Sequence, residues 1–485
     1  MDDEQDDAGP RGPAAGMKKV ALVVIHGMGE QRPMDTIWKF VDAAWIYDPE
    51  MVSKRTDTVF SKPDKITGSF ELRRITTRHS RGHGPRVDFF EFYWAHLMTG
   101  NTVLSFVQWL IGLVVRTPSS VPRRLVAPWL IGLAVLVVSL AVAILAGLPE
   151  SLRPGFLPRA IWPAALALSA LGGLFSAWWL APVAGDAARY LSPTPNNVAA
   201  RQAIREAGID LLTKLHKSGD YDRIIVVGHS LGTVVGYDVL NCLWGRIDKE
   251  AFWTTHGETP AAMKALDALE RATKALIEAP ADNCGPQRLA YRAAQRAYFA
   301  ALATLRFQDK PLWLVSDFVT LGSPLSKADV LMAKDRSELE RKKALRDLPS
   351  CPPWLEKKDP PRFSFYLRDP VRAPHHAAVF APTVWTNIFF DSKAVVLGDV
   401  IAGPLAPLFG PGICDVRVPI GGLRFRHLDY WKDPQGTPPA VWIRALRRAI
   451  NLRGHDDATL WAPEADRGVV RAERLPETLA TAKPA

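Results

Sequence analysis

The chain has 485 residues, 48% of them hydrophobic, with 60 Lys and Arg against 50 Asp and Glu, a formal net charge of +10. The four cysteines, Cys242, Cys284, Cys351 and Cys414, lie far apart without CxxC spacing, which argues against a disulfide framework or a zinc site and fits a reducing compartment. The excess basic charge is spread along the chain, with no aromatic-interleaved Lys/Arg run of the kind that lines a nucleic-acid groove. A membrane surface accounts for it at least as well.

Residues 1–17 are acidic and then Gly/Pro-rich, without the basic and apolar regions of a signal peptide, and read as a disordered tail. The run KKVALVVI that follows reads as a buried strand. It ends in His26-Gly27-Met28-Gly29, a turn whose backbone N–H groups face the crevice at the carboxyl end of an open sheet. His26 reads as a buried side chain that shapes this turn rather than a proton carrier. A helix is expected over 35–47, and strands over 70–77 and 87–94. His79 and His83 fall in a Gly- and Arg-rich loop and read as solvated, not as metal ligands.

The composition then changes. Residues 129–148 contain no charge and would span roughly 30 Å as a helix, and 160–184 form a second uncharged stretch with tryptophans near both ends. Together they read as a transmembrane helical hairpin. The shorter apolar segment 103–115 suits an interfacial helix. Two crossings satisfy parity, because one sheet cannot be assembled from strands on opposite sides of a bilayer. Arg116, Arg123, Arg124 and Arg189 flank the hairpin, and the cytoplasmic side is expected to hold the remaining mass.

After a helix expected over 196–217 comes RIIVVGHSLGTVVG, residues 223–236. An apolar strand, a sharp Gly-His-Ser-Leu-Gly turn and a small-residue helix make the context of a nucleophile elbow. Ser230 would sit on strained backbone, with Gly228 and Gly232 removing side chains that would collide. Residues 250–308 read as a helical insertion: either a lid over a pocket or a helical pair packed on the sheet. A strand is expected over 312–321, a proline-rich loop over 349–382, a strand over 385–390, a helix near 439–451 and a polar, poorly ordered tail from 453 onward.

A serine hydroxyl needs an imidazole to take its proton and a carboxylate to hold the tautomer of that imidazole. Of the downstream histidines His256, His375, His376, His427 and His455, only His427 is late enough and still ahead of the final helix. For the acid, Asp399 in a Gly-bracketed loop is preferred to Asp391 at a strand end, with Asp329 third. The oxyanion donors would be the backbone N–H groups of Leu231 and of Met28, with Gly27 the alternative to Met28.

VVIHGMG, VVGHSLG, VTLGSPL, the WTN strand with a following Asp and a late His together resemble the α/β-hydrolase superfamily, more closely its lipase and serine-esterase branch. The resemblance covers about 18–47 and 196–451. It implies a mostly parallel sheet flanked by helices, here over 18–100 and 190–452 with the hairpin inserted. It also implies a Ser–Asp–His triad and carboxylic-ester hydrolysis through an acyl-enzyme, with no metal or organic cofactor. The expected partners are a lipid or apolar ester substrate and a membrane, not nucleic acid. A non-catalytic membrane scaffold on the same fold is the competing expectation, and a soluble enzyme using the apolar segments as a lid is the third.

Overall fold

The computed structural model describes residues 19–27, 32–52, 59–69, 71–77, 85–98, 190–191, 195–280, 285–357, 359–391, 398–399, 401–419, 426–455 and 470–471, and isolated positions between 118 and 144. The strands in chain order are β1 Lys19–Ile25, β2 Val59–Pro63, β3 Arg73–Thr77, β4 Arg86–Phe92, β5 Arg223–His229, β6 Arg306–Phe307, β7 Lys310–Pro311, β8 Val315–Leu321, β9 Ser364–Arg368, β10 Val371–Pro374, β11 Val384–Phe390, β12 Cys414–Val418 and β13 Val470–Arg471. Among the described residues nine of them form one sheet in the order β13-β12-β11-β8-β5-β1-β4-β3-β2. The six from β12 to β4 are parallel neighbours, and β2, β3 and β13 join antiparallel at the edges.

β1 and the middle of β5 are apolar because helices cover both faces of the sheet. Ala21, Val23 and Ile25 of β1 join one core with Leu231, Val235 and Val239 of the helix Leu231–Gly245 and Ile204, Leu211 and Leu215 of the helix Pro195–Lys217. Val20, Leu22 and Val24 face the other way, onto Ile37, Phe40 and Val41 of the helix Asp35–Val41 and onto Ile443, Leu446 and Ile450 of the helix Val441–Ile450. From β1 the chain crosses to β4 on one side, whereas β5 lies on the other side of β1. That reversal opens the sheet's crevice at the carboxyl ends of β1 and β5, where ligands bind in open α/β sheets.

One region takes the second of the two arrangements expected for it, and two others differ in detail from the sequence reading. The helices Pro260–Glu278 and Gly285–Thr304 pair and pack on the sheet: Gln295 donates to the Phe380 and Thr383 carbonyls, and Arg292 to that of Trp385. These contacts fall at the start of β11, the end away from Ser230. The proline-rich stretch 349–382 is not all loop, since β9 and β10 form an antiparallel pair that Glu270 and Arg372 tie to the helix Pro260–Glu278. The polar tail supplies β13, which adds to the exposed edge of β12.

The spans 129–148 and 160–184 and the segment 103–115 lie outside the described residues, apart from isolated helical positions of the first span. Among the described residues no helix is long and apolar enough to cross a membrane.

Candidate active site

Ser230 follows β5 with φ 52° and ψ −127°, a conformation that costs a residue with a side chain about 1–3 kcal/mol. Its N–H is held by the Leu321 carbonyl of β8 at 2.9 Å. The tightness of the turn explains Gly228, and the close approach of the end of β1 explains Gly232. A Cβ at Gly228 would stand 2.7 Å from the Gly232 carbonyl, and one at Gly232 would stand 2.4 Å from the carbonyls of Ile25 and His26. Thr233 closes the first helical turn, its hydroxyl donating to the Ser230 carbonyl at 2.7 Å and meeting the Ser323 hydroxyl at 2.7 Å.

The structure brings three of the sequence-selected residues together. Ser230 Oγ lies 2.8 Å from His427 Nε2. On the other side of the ring, His427 Nδ1 lies 3.0 and 2.9 Å from the two Asp399 oxygens. A carboxylate accepts only, so Nδ1 carries the proton and Nε2 is left to accept from the serine hydroxyl. All three are buried, with Ser230 2%, Asp399 0% and His427 3% exposed.

Asp399 reaches this position because its loop is fixed from several directions. Its Oδ1 accepts from the Ile401 and Ala402 N–H groups, each at 3.1 Å. Ser326 donates to the Ile401 carbonyl, Lys327 to that of Ala402 and Asn387 to that of Gly403. Asp415 accepts from the Leu405 and Ala406 N–H groups. Burial pushes the Asp399 carboxyl up, but His427, the Tyr430 hydroxyl and the Ala402 N–H outweigh it and hold the group below its ordinary value. Asp391 is engaged elsewhere, in an ion pair with Arg417 at the sheet edge. Asp329 lies in a short helix after β8.

Three residues around Ser230, His427 and Asp399 escaped the sequence reading. Tyr430 donates its hydroxyl to Asp399 Oδ2 at 2.7 Å and receives the Phe390 N–H at 3.3 Å. Gly322, at φ +63°, leaves the space that the Tyr430 ring and both partners of the His–Asp pair occupy. His229 lies 2.9 Å through Nε2 from the His427 carbonyl and packs edge-on to Trp431. Burial and the neighbouring His427 push the His229 pKa down to about 3, so its neutral ring donates that hydrogen bond and steadies the backbone of His427. No local pattern announces these contacts, since each joins segments far apart in the chain.

Gly27, just after β1, flanks the serine. A Cβ at Gly27 would stand 2.9 Å from that of Ser230, and Leu231 opens the elbow helix directly after it. Met28 lies outside the described residues. His26 is fully buried and stacked on Trp94 at 5.0 Å. Burial lowers its pKa to about 4 against the opposing bond to the Gly27 carbonyl, consistent with a neutral, shape-giving ring. Among the described residues no cluster of His, Cys, Asp or Glu is arranged to hold a metal ion.

Compared with known protein families, curated proteins and solved structures, the chain finds no match.

Proposed function

We propose that this chain is a serine acyl hydrolase of the α/β-hydrolase superfamily, lipase and serine-esterase branch, cleaving carboxylic esters of lipid or other apolar substrates. The observation that carries the reading is the unbroken line from Ser230 Oγ through the His427 ring to Asp399. In the first step Ser230 Oγ attacks the ester carbonyl while its proton passes to His427 Nε2. The oxyanion that forms is met by the Leu231 N–H and by an N–H of the turn after β1, from Met28 or Gly27. Collapse expels the alcohol, which takes the proton from His427 and leaves an acyl-serine. Water, deprotonated by the same ring, then releases the acid and restores the serine. Asp399 stays ionised throughout and compensates the imidazolium charge.

The membrane part of the proposal is a catalytic domain held at the bilayer by the two apolar spans, with two crossings. Leu130, Val137 and Ile144 are helical, seven residues apart and more than half exposed, at 51, 57 and 58%. An apolar stripe left facing outward suits lipid. The apolar stretch also begins beyond Met98, at the carboxyl end of β4, the same end of the sheet as Ser230. A surface-held substrate would thus meet the serine from the membrane side.

The near closure of Ser230 from solvent favours the other reading, a non-catalytic membrane scaffold. A fluorophosphonate probe separates the two. Wild type in detergent micelles should be labelled and Ser230→Ala should not; labelling at another residue, or none, would count against the hydrolase.

A further inference from the structure

We propose that the cleft beside Ser230 receives the head group of the ester substrate, and that this head group carries both a phosphate and an ammonium, as in a phosphocholine or phosphoethanolamine lipid. Lys39 meets the phosphate and Asp42 the ammonium. The inference rests on the acyl-hydrolase reading and narrows its substrate class.

The cleft has a volume of about 440 Å³ and shares its walls with the site. Gly27 lines it, and a Cβ on Gly27 would stand 2.9 Å from that of Ser230. His229 and Leu428 line it too, the first directly preceding Ser230 and the second directly following His427. A substrate whose ester lies at Ser230 can therefore place its other end in the cleft. Lys39 of the helix Asp35–Val41, Asp42 directly after that helix, and Lys432 bring charge to the same space.

What points to a ligand is that these charges are not closed on one another. Lys432 lies 2.9 Å from Asp429. Lys39 and Asp42, three residues apart and lining one cleft, are not paired, and among the described residues neither side chain has a hydrogen-bond or ion-pair partner. By itself Lys39 would be an ordinary solvated lysine. Asp42 is different: its carboxyl is half-buried, and burial, with nothing to oppose it, pushes it above its ordinary value. A partly desolvated carboxyl without a donor is costly unless a cation is supplied. A simple anion would satisfy Lys39 and be repelled by Asp42, and a simple cation the reverse. A phosphate joined to an ammonium satisfies both and leaves the net charge of the cleft unchanged. Among apolar esters, a phospholipid carries that combination.

The test compares palmitoyl esters with different heads: lysophosphatidylcholine, with phosphate and ammonium, lysophosphatidic acid, with phosphate alone, and monopalmitoylglycerol, with neither. Each is hydrolysed by the full chain in detergent micelles. Wild type should prefer lysophosphatidylcholine to either of the others by about 10-fold in kcat/KM, the lower range for one hydrogen bond to a charged group. Lys39→Met should erase most of the preference over monopalmitoylglycerol, and Asp42→Asn most of the preference over lysophosphatidic acid, each through KM. Equal kcat/KM for all the esters in wild type would overturn the proposal. So would a loss in the variants shared by every ester, which is what a merely structural role gives. Equilibrium binding of the ether analogue of lysophosphatidylcholine, which has no ester to cleave, keeps the two readings apart. If wild type shows no Ser230-dependent hydrolysis, the acyl-hydrolase reading fails. Binding of the ether analogue that Lys39→Met and Asp42→Asn each weaken about 10-fold then still supports the head-group cleft, and equal binding by wild type and both variants overturns it.

Discussion

Gly322→Ala perturbs the site without removing any of its functional atoms. The added Cβ would stand 2.7 Å from Tyr430 Cε2, 3.1 Å from Asp399 Oδ2 and 3.2 Å from His427 Cε1, at a backbone φ of +63°. The left-handed conformation costs alanine about 1–2 kcal/mol. The contact with Tyr430 is shorter than real Cβ contacts allow, so the ring must move and its 2.7 Å bond to Asp399 is lost. A hydrogen bond to a charged group is worth about 1.5–3 kcal/mol. Urea denaturation should therefore show a loss of about 2.5–5 kcal/mol. A displacement of about 1 Å in the His–Asp pair costs on the order of 100-fold in rate, which the speed of fluorophosphonate labelling reads directly. If Gly322→Ala matched wild type in both stability and labelling, the packing of Tyr430 against the pair would carry neither effect.

Asp399→Asn should lower ester turnover by about 10⁴-fold by favouring the wrong tautomer of His427. Asp391→Asn loses only a partly exposed pair with Arg417, worth about 0–1 kcal/mol, and should leave turnover near wild type in the same assay. Tyr430→Phe should lower kcat about 10-fold with KM unchanged, corresponding to loss of the lower part of the range for a charged hydrogen bond. Burial depresses His26 and His216 to about 4 and His229 to about 3. Their stabilising contribution is present above the ordinary histidine value and is lost as pH falls through the folded values. Each is worth up to about 3 kcal/mol, so circular dichroism should show unfolding between about pH 6.5 and 4. Glu91 has the opposite sign, because its folded value is raised to about 7 and its contribution is lost as pH rises. Glu91→Gln should therefore be more stable than wild type above pH 7, by up to about 3 kcal/mol in urea denaturation.

What the sequence determined by itself is what short-range chemistry controls. Apolar-rich runs marked β1, β5 and β8, because a strand covered on both faces is mostly apolar. The elbow was legible from its local pattern: Gly228 answers a steric demand within one turn of chain, whereas Gly232 is required by the end of β1. His427 could be chosen by its place in the chain order. The strands β9, β10, β12 and β13 carry weaker signals, being short or at the sheet edge, where period-2 patterning has little burial to enforce it.

Only the tertiary structure decided which carboxylate meets His427. The sequence preferred Asp399 to Asp391 only on the character of its loop. The loop of Asp399 is drawn over the sheet by Ser326, Asn387 and Asp415, which come from three separate segments. The same holds for Tyr430, His229, Gly322 and Glu91, whose partners lie far away along the chain. A hydrogen bond or a steric contact is set by distance in space, and that distance exists only once the sheet has ordered its strands.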